Sequence, residues 1–386
     1  MEKNNKTLNV PHLRFPEFSG EWETGKIKQV CDIATGNKNT QDKSDDGIYP
    51  FYVRSQTVER INSWSFDGEA ILTAGDGVGV GKVFHYSIGK IGVHQRVYIL
   101  SNFTCDSKYL FHYFSSRFYT RVKRMSAKNS VDSVRMEMIA DMPIYLASKD
   151  EQRKIGYLLS LLNERIETQK KIIEDLKKLK DAINNSLHNN INEFQLFSFN
   201  ELGNDYSGLT GKSSDDFGSG LPYISYLNVF RNDIVTDGQF DCVKVSKTEK
   251  QNVVSYGDLL FTLSSETPSE VGIGAIYLGK TNPIYLNSFC FGVHLSNQEN
   301  IYGPYLAYFV TSQYFRKTIL PFAQGSTRYN LMKSDFMKHK FRFPNMATQK
   351  AIYNTLHTLS EKIQNEEVCL NKYTEQKQYL LARLFI

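Results

Sequence analysis

The chain has 386 residues, 41% hydrophobic and 23% charged, enough to bury two separate cores, and its net charge of +5 suits a polyanionic partner without demanding one. Cys31, Cys105, Cys242, Cys290 and Cys369 form no Cys-x-x-Cys pair and have no His at ligand spacing, which argues against structural zinc and a disulfide framework. Residues 1–9 are polar and no stretch approaches the ~20 apolar residues of a membrane span, so a cytoplasmic protein with reduced thiols is expected.

In chain order, strands are predicted at 48–53, 69–73, 81–86 and 95–100, where apolar and polar residues alternate. A helix is predicted over 108–125; Tyr109, Tyr113, Phe114 and Phe118 fall at helical spacing and suit a core. A polar loop, 126–135, follows. From Ile155 onward Leu159, Leu162, Ile166, Gln169, Ile173, Leu176, Lys180, Ile183 and Leu187 alternate steps of four and three, a heptad seam free of Pro and Gly. Glu167–Lys171 and Glu174–Lys178 are i,i+4 pairs on its outer face. Strands are then predicted at 223–226, 258–262 and 274–278, and a helix over 304–320 with Pro304 in its first turn. A second seam runs through Ile352, Leu356, Leu359, Ile363, Glu366, Leu370, Tyr373, Lys377, Leu380 and Leu384.

The chain repeats itself. Tyr109, Leu110, Ser116, Ala127, Ser130 and Met136 recur at an offset of 196 as Tyr305, Leu306, Ser312, Ala323, Ser326 and Met332. After one inserted residue, Gln152, Ile155, Leu159, Leu162, Glu164, Ile166, Lys180 and Leu187 match Gln349, Ile352, Leu356, Leu359, Glu361, Ile363, Lys377 and Leu384. The expected fold is α+β: two globular domains in tandem pseudo-repeat, 1–150 and 196–347, separated and followed by long helices, 151–195 and 348–386. A narrow seam of this length wants a second helix. A twofold relation between the halves makes the pair an antiparallel coiled coil, with Ile155 near Leu384 and Gln169 near Leu370; a parallel pair is the alternative.

No catalytic site is found. The glycine-rich run 74–82 lacks the P-loop spacing, and 83–86 continues as a strand where a nucleotide loop would open a helix, so a turn is the better reading. A methyltransferase acting on base amino groups would carry Asn/Asp-Pro-Pro-aromatic, and the chain has no Pro-Pro; a common nuclease pattern needs Pro-Asp, also lacking.

Val10-Pro11-His12-Leu13-Arg14-Phe15-Pro16-Glu17-Phe18 with Glu21-Trp22 resembles the N-terminal leader of type I restriction–modification specificity subunits. Tyr49-Pro50-Phe51-Tyr52-Val53-Arg54-Ser55, Val58-Glu59-Arg60-Ile61 and Gly75-Asp76-Gly77 are similar to one of that family's target-recognition domains. Glu151-Gln152-Arg153-Lys154-Ile155 resembles the start of the family's conserved helices; the second copy, Thr348-Gln349-Lys350-Ala351-Ile352, lacks the Glu. The resemblance implies a non-catalytic subunit with no cofactor of its own. Each domain would read half of a split double-stranded DNA site, and the helices would fix the spacing. The helices would also dock two methyltransferase subunits, which bind S-adenosylmethionine, and a motor–nuclease subunit would join for restriction. Because the two domains diverge, the site should be asymmetric. The alternatives are a non-DNA coiled-coil scaffold and a stand-alone methyltransferase or nuclease.

Base reading needs Arg, Asn or Gln at base edges, with Lys, Ser and Thr on phosphates. In the first domain Lys128, Asn129 and Arg135 are candidates, with Arg54, Gln56 and Arg60 on a second polar stretch. In the second domain they are Ser326, Thr327, Arg328 and Tyr329, with Tyr226, Asn228 and Arg231. Ser133 and Asn330 have the chemistry of helix N-caps. Arg121, Lys123 and Arg124 form a cluster at a helix end, which suits the helix dipole or a phosphate.

Overall fold

The computed structural model describes residues 9–125, 133–191, 193–238, 240–296 and 299–386. The chain forms two compact units, Met1–Lys171 with Val368–Ile386, and Ile172–Glu367.

The first unit contains β1 (Glu23–Lys26), β2 (Asp32–Thr35), β3 (Tyr49–Tyr52), β4 (Val58–Ile61), β5 (Phe66–Ala74), β6 (Phe84–Val93) and β7 (Val97–Ser101). After these come α1 (Ser107–Met125), α2 (Met136–Ala140), β8 (Pro143–Leu146) and the start of α3 (Lys149–Asn189). Six strands form one sheet in the order β2-β7-β5-β6-β3-β4, and β1 pairs with β8 separately. Successive residues of a strand face opposite ways. Ile71 of β5 therefore joins the core under α1, while its neighbours Ala70 and Leu72 join the core on the other face. On α1 the buried residues Tyr109, Leu110, Tyr113, Phe114, Phe118 and Val122 form one stripe, and the Asp106 carboxylate caps its first turn by accepting from Tyr109 N at 2.8 Å.

The second unit repeats the plan. Its elements are β9 (Gln195–Ser198), α4 (Phe199–Leu202), β10 (Gly203–Ser207), β11 (Phe217–Ile224), α5 (Tyr226–Arg231), β12 (Ile234–Val235), β13 (Asp241–Val243), β14 (Leu259–Thr262), β15 (Ser264–Ser265), β16 (Gly274–Tyr277), β17 (Tyr285–Leu286) and β18 (Cys290–Leu295). They continue with α6 (Leu306–Phe309), α7 (Gln313–Ile319), β19 (Ala323–Gln324), β20 (Tyr329–Leu331), α8 (Lys333–Lys338), β21 (Lys340–Phe343) and α9 (Met346–Leu384). The sheet order β10-β18-β14-β16-β12 matches β2-β7-β5-β6 of the first unit with one added edge strand. The long β6, which pairs with both β5 and β3, is here two strands: β16 pairs with β14, and β17 with β11. Strand β9 pairs with β21 as β1 does with β8.

Several sequence expectations are corrected. The helix over 304–320 is broken. Pro304 sits in a 3-10 turn, and Ser312 starts α7 afresh by accepting from Phe315 N, whereas its counterpart Ser116 stays inside α1; both hydroxyls donate to the carbonyl three residues back, Phe309 O and Tyr113 O. Tyr226 opens a helix instead of ending a strand, because Ser225 and Asn228 form a capping box. Residues 81–82 and 95–96 are turns, with strand only from Phe84 and Val97. Glu167 pairs with Lys170 where Lys171 was expected, while Glu174–Lys178 forms as expected.

Both long helices form, and within each unit their segments run antiparallel. In the first, Ile155 and Leu159 share a core with Leu384 and Phe385, and Arg165 donates to the Tyr373 hydroxyl at 3.0 Å. In the second, Ile183 and Leu187 pack on the core that holds Ile352 and Leu356, and Lys177 pairs with Glu367 at 2.7 Å. Along the seams Ile155, Leu159, Ile166, Ile173, Ile352, Leu356, Ile363 and Leu384 are buried. Leu162, Leu176, Ile183, Leu187, Leu359, Leu370, Tyr373 and Leu380 are half-buried. Among the described residues no helix is long and apolar enough to cross a membrane.

Candidate nucleic-acid interface

Five chain segments meet at the same place in each unit, and the backbone bonds that gather them are the same. After β2, Gly36 and Asn37 donate to Val97 O and Val93 O; after β10, Gly208 and Leu209 donate to Cys290 O and Leu286 O. Neither glycine could carry a Cβ, which would lie 2.2 Å from Val93 O or 2.0 Å from Asn287 O. The next segment leaves β3 at Arg54 or β11 at Tyr226. The third follows the central strand. Gly75 N donates to Arg96 O as Leu263 N does to Phe289 O, each at 2.8 Å. The fourth is the turn 94–96 or 287–289. In it Arg96 N donates to His94 Nδ1 at 3.0 Å, and Phe289 N donates to Asn287 Oδ1 at 2.9 Å. The fifth precedes the short helix: Val134 N reaches Gly75 O at 2.7 Å and Leu331 N reaches Leu263 O at 2.8 Å.

In the first unit this face is ionic. Arg54 Nη1 lies 3.0 Å from one oxygen of Asp76, and Arg96 Nε lies 3.7 Å from the other. A carboxylate between two exposed guanidinium groups holds both in place while leaving most of their donors free. His94 beneath them is buried, and burial, reinforced by Arg54, holds its imidazole below the usual range. Arg135 is exposed two residues past the Asp76–Ser133 bridge, and Gln56 is exposed in the loop after Arg54. Arg60 is exposed on the edge strand β4, opposite Pro50. Lys128 and Asn129 lie outside the described residues.

The second unit makes a cleft of about 460 Å³. Tyr226, Thr327 and Arg328 line it, together with Ser264, Glu266, Glu270 and Phe289. Arg328 Nη2 donates to Ser264 Oγ at 3.1 Å and its guanidinium sits 5.0 Å from the Phe289 ring centre. The Tyr226 hydroxyl donates to Ser264 O at 3.3 Å. The Ser265 hydroxyl, donating at 2.6 Å, holds the Glu270 carboxyl below its usual range. Arg316 clasps the loop from beneath, donating to the carbonyls of Ser269, Val271 and Gly272; burial pushes its guanidinium down to about 10. Carboxylates here repel phosphate but can accept from the cytosine amino group. Ser326 is exposed and Tyr329 half-buried in β20, opposite Ser265.

The other candidates separate from this face. Asn228 Oδ1 accepts from Ser225 N and Oγ, so it caps α5. Arg231 lines a different cleft with Lys177, Lys180 and Asp233. Arg121 ties α1 to α2 through the carbonyls of Met138 and Asp141, and Arg124 lines a cleft with Arg117 and Gln378. Ser133 and Asn330 are not N-caps. Arg135 and Met332 hold those positions, and Ser133 and Asn330 pair with Asp76 and Ser264. Sequence reasoning missed Asp76, Arg96, Ser264, Glu270 and Phe289. The available signal was a polar residue, His94 or Asn287, two places before each of Arg96 and Phe289, able to accept from its own backbone two residues on. Among the described residues no group of three His, Cys, Asp or Glu could hold a metal ion.

The family model for the type I restriction modification DNA specificity domain matches residues 19–193 and again 192–373. Among characterised proteins, the type I restriction enzyme EcoDI specificity subunit of Escherichia coli is 26% identical over 167 residues, 42% of this chain and 37% of that relative. The MjaVIII specificity subunit of Methanocaldococcus jannaschii is 23% identical over 94% of this chain and 90% of its own. The crystal structure of a type I restriction–modification S subunit from M. genitalium shares the fold, with a TM-score of 0.66 at 16% identity, covering 98% of this chain and 99% of that one. With two consecutive copies of the domain across most of its length, the chain belongs to the type I restriction–modification DNA specificity family.

Proposed function

We propose that the chain is the sequence-reading subunit of a cytoplasmic type I restriction–modification complex, with each unit reading one half of a split, asymmetric double-stranded DNA site. The observation that carries this is the doubled face: identical backbone bonds gather the same five segments in both units, and the side chains they present differ. A fixed frame with variable side chains is what reading two different words requires, since phosphate contacts position and base-edge contacts specify. On this reading residues 1–150 and 196–347 are the recognition domains, and the helices 151–195 and 348–386 set the spacing between half-sites. The chain supplies no catalytic group and no cofactor. Two methyltransferase subunits dock on the helices and bring S-adenosylmethionine to the adenines; motor–nuclease subunits join where the complex restricts.

The test is a genome-wide map of methylated adenines in cells expressing this chain with its methyltransferase subunit, against cells expressing that subunit alone. A split asymmetric motif appearing only with both is expected. If the two proteins associate and no motif appears, the reading is wrong.

A further inference from the structure

The turn between β17 and β18 presents an aromatic side chain on this face. Phe289 is 50% exposed, yet its backbone is among the most constrained on the face. Asn287 N is bonded to Ile224 O, Cys290 N to Asn287 O, Phe289 N to the Asn287 side chain, and Phe289 O accepts from Leu263 N. A single exposed apolar residue needs no special explanation. This one differs in being held rigidly, in forming a wall of two neighbouring clefts of about 460 and 410 Å³, and in lying under the Arg328 guanidinium. Its counterpart in the first unit, fixed by the same bonds, is Arg96, 66% exposed and steadied by Asp76. Guanidinium and phenyl groups are the side chains that suit, respectively, the guanine O6/N7 edge and the thymine methyl in the major groove.

Resting on the specificity reading above, we propose that this turn is a specificity-determining position. In the second unit Phe289 packs against the C5 methyl of a thymine in its half-site, with the Arg328 guanidinium lying over the ring. The contact is apolar and local, so it discriminates thymine from every base that lacks the methyl, uracil included.

The experiment uses the complex of this chain with its methyltransferase subunit and duplex probes carrying the mapped site, each thymine of the second unit's half replaced in turn by uracil. At one position uracil should weaken wild-type binding roughly fourfold, the effect of one buried methyl group. Phe289→Ala should bind thymine and uracil probes there equally, with discrimination in the other half unchanged. Phe289→Arg, which installs the first unit's side chain on the same turn, should also lose the thymine preference, so the comparison stands if the alanine variant folds poorly. A wild-type complex indifferent to uracil at every position, or a Phe289→Ala complex that keeps its discrimination, overturns the role of Phe289 and leaves the specificity reading intact. A wild-type complex that gives no motif removes both.

Discussion

His188 takes in the second unit the place that Phe385 takes in the first, one repeat length on. The His188 ring stacks on Tyr305 at 5.5 Å as Phe385 meets Tyr109 edge-on at 5.3 Å. Around it three buried atoms, His188 Nε2, Tyr305 Oη and Asn184 Oδ1, have no hydrogen-bond partner among the described residues. Burial holds the imidazole at about 4, only partly offset by its bond to Asn184 O. An unfolded histidine titrates near 6.5, so between pH 6.5 and about 4 the unfolded chain binds a proton that the folded one refuses. The stability held by neutral His188 is complete above pH 6.5 and falls as pH drops to about 4, by up to ~3 kcal/mol at 1.36 kcal/mol per pKa unit. We predict that His188→Phe, copying the first unit, flattens that acid limb for the second unit. Urea unfolding at pH 7 and pH 5 checks it; an unchanged difference between the two pH values would refute the assignment.

Among whole elements, what the sequence makes legible depends on how local the cause is. The heptad seams are plain because a 3.5-residue period is written in consecutive turns. The repeated glutamine is legible for the same reason, and its role proves equal in both copies. Gln152 bonds Ala147 O and Asp106 N, while Gln349 bonds Pro344 O, Asn300 O and Tyr302 N, each tying the start of a long helix to the segment before the domain's helix. The five-segment face is not legible in this way. Arg96 and Phe289 owe their placement to bonds from Gly75 and Leu263, and Asn228 is consumed by a cap, none of which composition reveals. The leader shows a longer-range dependence still. Arg14 grips Glu151 with two bonds of 2.8 Å and the carbonyls of Ser19 and Gly20 with two more, and the Glu151 carboxylate is 1% exposed. In the second copy Thr348 stands where Glu151 would recur. Arg14→Ala strands a buried carboxylate and should destabilise the first unit by about 3 kcal/mol. Replacing both partners by apolar residues should cost much less. Faster hydrogen exchange at α1 amides in the single variant, recovered in the double, is the expected outcome; equal exchange in all three would count against the pairing.

For the molecule as a whole, the question is why one chain carries the plan twice. Each unit has its own cores and its own face, and within each unit a segment of α3 runs antiparallel to a segment of α9. Strands β1 and β8 close the first domain at Glu23 and Leu146; β9 and β21 close the second at Gln195 and Phe343. These closing pairs mark where one domain can be exchanged for the other with the helices left intact. A chain in which residues 195–343 are replaced by a copy of 23–146 keeps both seams and duplicates the Arg54–Asp76–Arg96 face. On the proposed function, its complex with a methyltransferase subunit should methylate a site whose two halves carry the same base letters, both taken from the first unit's half of the native motif. The second unit's letters should vanish. If the native asymmetric motif persisted in the adenine map, the letters would have to be read by something other than these two faces, and the helices or the partner subunits would become the place to look.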